Sequence, residues 1–411
     1  MFLSPLTRLA VVAGTGVALT VVVAAQGPAP TPRTHTFSVK DLAAPSDPHP
    51  NPPKVVPRPA DASLTLPQGF TATLFASSGF KRPRNAAEAP NGDVFVVDTG
   101  AGSLWALRDA NRNGTIEDDE RTEFATGLTQ PFGIAFQKGA LYVANTDAIV
   151  KFPYADGDLK ATAAPATIAT LPSTKGGHWT RNIAFTRDGR RFYVAVGSAH
   201  NIDPDPDPLR AAVLEFNADG SGRRVVSTGL RNPVGLAINP STQEPWVTVQ
   251  EREGLGDDLV HDFVAKVAPG RFYGWPWAYL GAHEDPRHAG KMPDLVKKTT
   301  VPEVLFEPHA SAMTMAFYTG SSFPARYRAG AFAALRGSSG RSKRTGYKIV
   351  YIPFEKGQPT GSYEDFATGW MLGEDRPEVW GRPVGVTVLK DGSLLVTEDG
   401  NGTLWKIAYG K

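Results

Sequence analysis

Residues 231–251 read RNPVGLAINPSTQEPWVTVQE and residues 382–399 read RPVGVTVLKDGSLLVTED. Each opens on an arginine, runs through a short apolar strand that begins near a glycine, turns on Gly, Pro, Asn, Asp or Ser, and returns in a second apolar strand. Such alternation bounded by turn formers is a hairpin signature. The same layout recurs at residues 84–98 (RNAAEAPNGDVFVVD), 130–145 (QPFGIAFQKGALYVAN) and 181–197 (RNIAFTRDGRRFYVAVG), and more weakly at 312–335 (AMTMAFYTGSSFPARYRAGAFAAL). The steps are roughly 46, 51, 50, 80 and 70 residues, in and above the range of propeller blades built from several short strands.

Six units predict an all-β, six-bladed β-propeller of four-stranded antiparallel blades. Later strands of the blades are legible in SLWALRD and RTEFATG, AIVKFPY and ATIATLP, and AAVLEFN and RRVVSTG. The N-terminal QGFTATLFA is expected to pair with the last blade and close the ring, and the long fourth unit to carry an insertion at about residues 257–300. The composition agrees. With 42 Gly and 35 Pro, long helices are disfavoured, while 41% hydrophobic residues are enough for a core. A net charge of +2 offers no global field for nucleic acid, so partners are expected to be small molecules. The absence of cysteine removes thiol catalysis, disulfides, thiolate metal sites and haem attached through cysteine.

The apolar run at residues 9–25 (LAVVAGTGVALTVVVAA), ending in Val23-Ala24-Ala25, reads as a signal peptide cleaved after Ala25; the alternative is an uncleaved membrane anchor. Either way the chain is expected to act outside the cytoplasm, periplasmic or extracellular. Residues 26–63 are Pro-rich and nearly free of aromatics, which predicts a disordered tether, with the propeller spanning 64–411.

Residues that start the innermost strands face one mouth of a propeller channel. Here these are Arg84, Gln130, His178 with Arg181, Arg231 with Asn232, and Arg382. Convergent arginines suit a small polyanion, because the guanidinium fork matches carboxylates. Separately, residues 109–120 (DANRNGTIEDDE) fit a calcium loop, with Asp109, Asn111 and Asn113 as side-chain ligands, Gly114 at the turn, the Thr115 carbonyl and a bidentate Glu120. The loop joins two strands, so its expected role is structural.

Three further motifs stand in order: residues 229–236 (GLRNPVGL), 251–258 (EREGLGDD) and 272–276 (FYGWP), accompanied by Gly177-His178-Trp179 and Arg382-Pro383-Val384-Gly385. Together they resemble the glucose/sorbosone dehydrogenase family of six-bladed propellers that carry pyrroloquinoline quinone (PQQ) on calcium. The resemblance implies His178 as the general base for a substrate hydroxyl, and Arg231 with Asn232 at the reactive quinone oxygens. Carbonyls of Glu253 and Gly254 would sit on the catalytic Ca2+, Arg382 and Arg336 against cofactor carboxylates, and Gln130 beside cofactor or substrate. Glu251 and Tyr273 would belong to an accessory calcium site. One departure stands out: residues 336–341 read RGSSGR where relatives carry an aromatic and an amide.

The resulting expectation is a PQQ-dependent sugar, sugar-aldehyde or alcohol dehydrogenase that hands electrons to a separate acceptor. The alternatives are a calcium-dependent propeller lactonase or esterase, and a propeller binding module without catalysis.

Overall fold

A computed structural model of the chain describes residues 31–173 and 177–410, and the proposed signal peptide lies outside them. The described chain forms six antiparallel blades. Their inner strands are Pro83–Glu88, Gly133–Phe136, Arg181–Phe185, Asn232–Ile238, Ala312–Phe317 and Pro383–Val388, one from each repeat unit. Each inner strand lies against the next around a closed ring, and the sixth meets the first. The ring is latched by Phe70–Ala76, which completes the last blade beside Thr403–Tyr409 as expected.

Close approach at the axis explains the recurring glycine. A Cβ on Gly133 would lie 2.9 Å from the Arg181 carbonyl oxygen, one on Gly235 2.5 Å from that of Met313, and one on Gly385 would strike the Arg84 carbonyl. The glycines therefore stand in the second, fourth and sixth blades, each admitting the inner strand of the next. Threonines lock two of these junctions, where Thr248 Oγ1 donates to Met313 O and Thr397 Oγ1 to Arg84 O, and Thr314 Oγ1, donating to Val384 O, locks the fifth blade to the sixth. Between blades the apolar faces interdigitate, as where Phe95, Phe124, Phe136 and Tyr154 pack edge to face.

Two expectations need correction. Residues 31–63 are not a free tether. Thr34–Thr36 adds a fifth strand to the fifth blade, and Lys54–Val55 pairs in parallel with Glu378–Val379. His35 is buried, stacked 4.7 Å from Tyr363 and bonded to Asp365 at 3.0 Å, while Arg58 covers Trp405 at 5.0 Å. An extended proline-rich chain has no internal ladder, but it can use the unpaired edge of a sheet, and its few aromatic and apolar residues fall where that edge needs them. The insertion also starts later than expected, because His261–Lys266 is the third strand of the fourth blade. Beyond Lys266 the insertion carries a short ladder at Ala278–Tyr279 and His283–Glu284 and the helix Pro293–Lys297, and it lends Arg271–Phe272 to the outer edge of the third blade, so that blade too has five strands.

A chain beginning at residue 64 is therefore expected to melt several degrees below one beginning at residue 31, since losing two strand pairings and a buried contact costs about 2 kcal/mol or more. Differential scanning calorimetry checks this; equal midpoints would return residues 31–63 to the status of a tether.

Candidate active site

The mouth at the inner-strand starts is built from two charged clusters. On the third and fourth blades, His178 precedes the strand Arg181–Phe185, and its backbone N–H donates to Ser198 O at 2.9 Å. Its Nδ1 lies 3.0 Å from the same carbonyl oxygen and 2.9 Å from Ser198 Oγ, whose own hydrogen goes to His200 O. A carbonyl only accepts, so Nδ1 carries the proton and Nε2 keeps a free lone pair, without a hydrogen-bond partner among the described residues. Burial, and then the Arg231 charge, hold the imidazole well below its ordinary value, so it is neutral at pH 7.

Arg231 is fixed by donations to Glu251 O at 2.7 Å and to Asn201 Oδ1 at 2.8 Å, none to a carboxylate. Asn232 donates Nδ2 to Gln250 Oε1 at 2.9 Å, while its buried Oδ1 has no partner among the described residues. Gly197 makes this neighbourhood possible: a Cβ there would lie 2.5 Å from His178 Cβ and run into Asn232 Oδ1.

On the sixth, first and fifth blades, Arg84 and Arg336 share the buried Asp399, at 2.6 and 3.0 Å. Arg382 has only the carbonyls of Arg336 and Gly337 and the ring of Tyr347, 5.8 Å away. Burial pushes Arg84, Arg231 and Arg382 down to about 10. Trp179 joins the two clusters, since it follows His178 and carries the Arg84 guanidinium 5.2 Å over its ring. Gln130 is exposed beside it; Thr146 Oγ1 lies 3.4 Å from Gln130 Oε1 and donates to Trp179 O. The structure thus brings His178, Arg231 and Asn232 together on one side and Arg336 and Arg382 on the other.

The expected metal ligands fare differently. Glu253 O accepts from Arg287 at 3.0 Å and from Asn201 Nδ2 at 3.2 Å, so both lone pairs are used, and its carboxylate pairs with His309 at 2.7 Å. Gly254 is exposed, with the Arg287 guanidinium 3.2 Å from where its Cβ would be. Glu251 and Tyr273 do not form an accessory site: the buried Glu251 carboxylate is bound to Arg252 at 2.9 Å, and the Tyr273 hydroxyl donates to Lys266 O. Among the described residues no three His, Asp or Glu side chains converge as a metal cluster.

In the 109–120 hairpin, Asp109 accepts from the N–H groups of Asn113 and Gly114, Glu120 from Ala110 and Asn111, and Asn113 Oδ1 from Thr115. Glu117 is pulled down to about 2 by a hydrogen bond shared with Glu120 and then by Asn113. The donors are all oxygen, the kind a hard cation takes, but the Asp109 and Glu120 carboxylates are held by the loop's own N–H groups and, among the described residues, are not gathered into a metal cluster.

Sequence reasoning passed over Glu117, Asp399, Asn201 and Arg287. Glu117 was within reach, as the ninth residue of the loop pattern. Asn201 had no signal, because it lies 30 residues before Arg231 and meets it only through the fold.

A 26% identical relative from Borreliella burgdorferi, described only as an uncharacterized protein, aligns over 362 residues, 85% of this chain and 92% of that protein. The PQQ-dependent pyranose dehydrogenase of Coprinopsis cinerea is 23% identical over 390 residues, and this chain spans about half of its length (52%). The holo form of that enzyme's PQQ domain shares the fold, with a TM-score of 0.72 at 20% identity over 86% of this chain and 98% of that one. A calcium structure of Trichoderma reesei carbohydrate-active enzyme family AA12 gives a TM-score of 0.73 at 20% identity over the same shares. The sequence pattern described as TrAA12-like matches residues 64–260 and 293–410, which carry all six inner strands and both halves of the mouth, and the chain belongs to that family.

Proposed function

We propose that this protein is a PQQ-dependent oxidoreductase that oxidises a sugar, sugar aldehyde or related alcohol outside the cytoplasm and passes electrons to a separate acceptor. The observation that carries the reading is the pairing at one channel mouth of a histidine whose Nδ1 is bonded to a carbonyl, leaving Nε2 open, with buried guanidiniums bonded to carbonyl and amide oxygens. The names of the relatives above support it, and the apolar leader and the lack of cysteine are consistent with export and with a separate acceptor.

PQQ is a planar ortho-quinone with three carboxylates, and the donor set fits it. Arg84, Arg336 and Arg382 would take carboxylates, the first two sharing Asp399 and the third bonded to carbonyls. Arg231 and Asn232 would face the quinone oxygens. Gln250 Nε2 donates to Ser311 Oγ and Met313 Sδ, which sets Oε1 toward Asn232 Nδ2 and leaves Asn232 Oδ1 as the open acceptor. When bound, the quinone supplies the acceptor for a hydride from the substrate carbon.

The remaining work falls to the protein. His178 Nε2 takes the proton from the substrate hydroxyl, and the Nδ1–H bond to Ser198 O holds both tautomer and ring plane. Gly197 lets the imidazole stand beside Asn232, and the fixed Arg231 fork stabilises negative charge without reorganising. Calcium is assigned no step here, because the Glu253 carbonyl is occupied. Calcium belongs instead in the 109–120 hairpin, whose Ile116 N–H is bonded to Phe75 O of the latching strand.

Titrating the purified protein with PQQ, followed by quinone absorbance and by dye reduction with a panel of aldoses and aldehydes, tests the reading. Saturable binding with turnover is expected; no binding would overturn it, and binding without turnover on any substrate would favour a binding module. His178→Gln is expected to lower kcat about 100-fold or more with PQQ affinity unchanged, the scale of general-base loss. Since the histidine's pKa is lowered, the unprotonated base persists as pH falls, and kcat/KM is expected to stay level down to about 6.5 and decline only below it. A decline beginning above pH 7 would remove His178 from the role. Millimolar calcium is expected to raise the melting temperature of the wild type but not of Glu120→Gln, and an equal rise in both would move the ion elsewhere.

A further inference from the structure

Resting on the quinone reading, we propose that Arg287 is the resident cation at the channel mouth, taking the carbonyl that a calcium ion would otherwise hold, so that this chain binds its cofactor without a divalent metal. Arg287 is a built-in element of the mouth. Its Nε and NH2 groups clamp the two oxygens of Asp285 at 2.9 and 2.8 Å, and Asp285 is wholly buried and braced from the other side by Arg252 at 3.0 Å. The third nitrogen, NH1, is thereby aimed at Glu253 O, 3.0 Å away.

Asn201 completes the arrangement. It donates Nδ2 to the same carbonyl, accepts the Glu253 N–H on Oδ1 at 3.0 Å, and on that same Oδ1 receives Arg231 at 2.8 Å. The Trp275 indole N–H holds the Asn201 backbone carbonyl at 2.9 Å. A carbonyl oxygen has two lone pairs, and two N–H donors leave none for an ion that needs six to eight oxygens. A guanidinium fixed within hydrogen-bond distance of that oxygen would also repel a dication brought to it. The chain supplies this arginine from its own insertion: the family pattern stops at residue 260 and resumes at 293, and Asp285 and Arg287 lie between. In this place Arg287 is a positioning residue. It holds the Glu253 backbone, and through Asn201 the Arg231 fork, in the orientation the cofactor meets.

The test measures PQQ affinity by absorbance and tryptophan-fluorescence quenching, in excess chelator and in millimolar calcium, on the full chain. The wild type is expected to bind equally well in both, within about 3-fold. Arg287→Gln, checked by its melting curve, is expected to bind at least 10-fold more weakly in chelator and to recover with calcium, because Asp285 then keeps Arg252 and the Glu253 carbonyl keeps only Asn201, which leaves each an open lone pair. Arg287→Lys should stay near wild type in chelator. Wild-type binding that calcium strengthens 10-fold or more, or an Arg287→Gln affinity equal to wild type in chelator, would overturn the proposal while leaving the quinone reading intact. Absence of PQQ binding under every condition would overturn both.

Discussion

A buried guanidinium is tolerated only when hydrogen bonds and counter-charge replace the water it has lost, and the mouth of this propeller leaves that compensation incomplete. Arg84 and Arg336 divide one carboxylate, Asp399, while Arg231 and Arg382 have carbonyl and amide oxygens alone. The glycine steps of the inner strands draw the six blades together tightly enough to hold these cations at one end, and the loops between blades fix their directions. An anion entering the mouth would complete what the protein leaves open. Burial, and after it the Arg231 charge, keep His178 unprotonated, so the water-poor mouth that leaves the arginines wanting an anion also keeps a base available.

The fold was largely legible because its determinants are local. A short apolar strand beginning near Gly or Ala, a turn and a second strand repeat in the sequence wherever a blade begins, and in three of the six blades the axis requires the glycine, at Gly133, Gly235 and Gly385, for a steric reason. Strand-start residues were legible for the same reason, and His178, Arg231 and Asn232 lie in one cluster and Arg84 and Arg382 in the other, whereas Arg336 follows the strand Ala331–Leu335. What escaped depends on partners distant in sequence. Asn201 and Arg287 join Arg231 and Glu253 from two different loops, and no spacing rule relates them. The misreading of residues 31–63 has a similar origin. Proline content reports that a segment cannot fold by itself, but not that the edge strand Ser362–Ala367 and the aromatic Tyr363 await it.

The fifth-blade departure also acquires a physical setting. In the stretch RGSSGR, Arg336 supplies a cation to Asp399, and Gly340 leaves room for the Glu253 carboxylate, which a Cβ there would strike. Loss of the aromatic and amide is thus accompanied by a Glu253–His309 pair and by an aromatic, Trp179, on the opposite side of the mouth. Together with Arg287, these residues describe a mouth organised by side-chain cations around a base.

A crystal structure of the full chain grown with PQQ in the presence of a chelator tests that organisation most directly. The account predicts the cofactor's carboxylates on Arg84, Arg336 and Arg382, its quinone oxygens on Arg231 and Asn232, His178 Nε2 facing the open side, and Arg287 still on the Glu253 carbonyl with no metal between them. A cofactor bound elsewhere, or one ordered only with a calcium ion on Glu253 and Arg287 swung away, would contradict it.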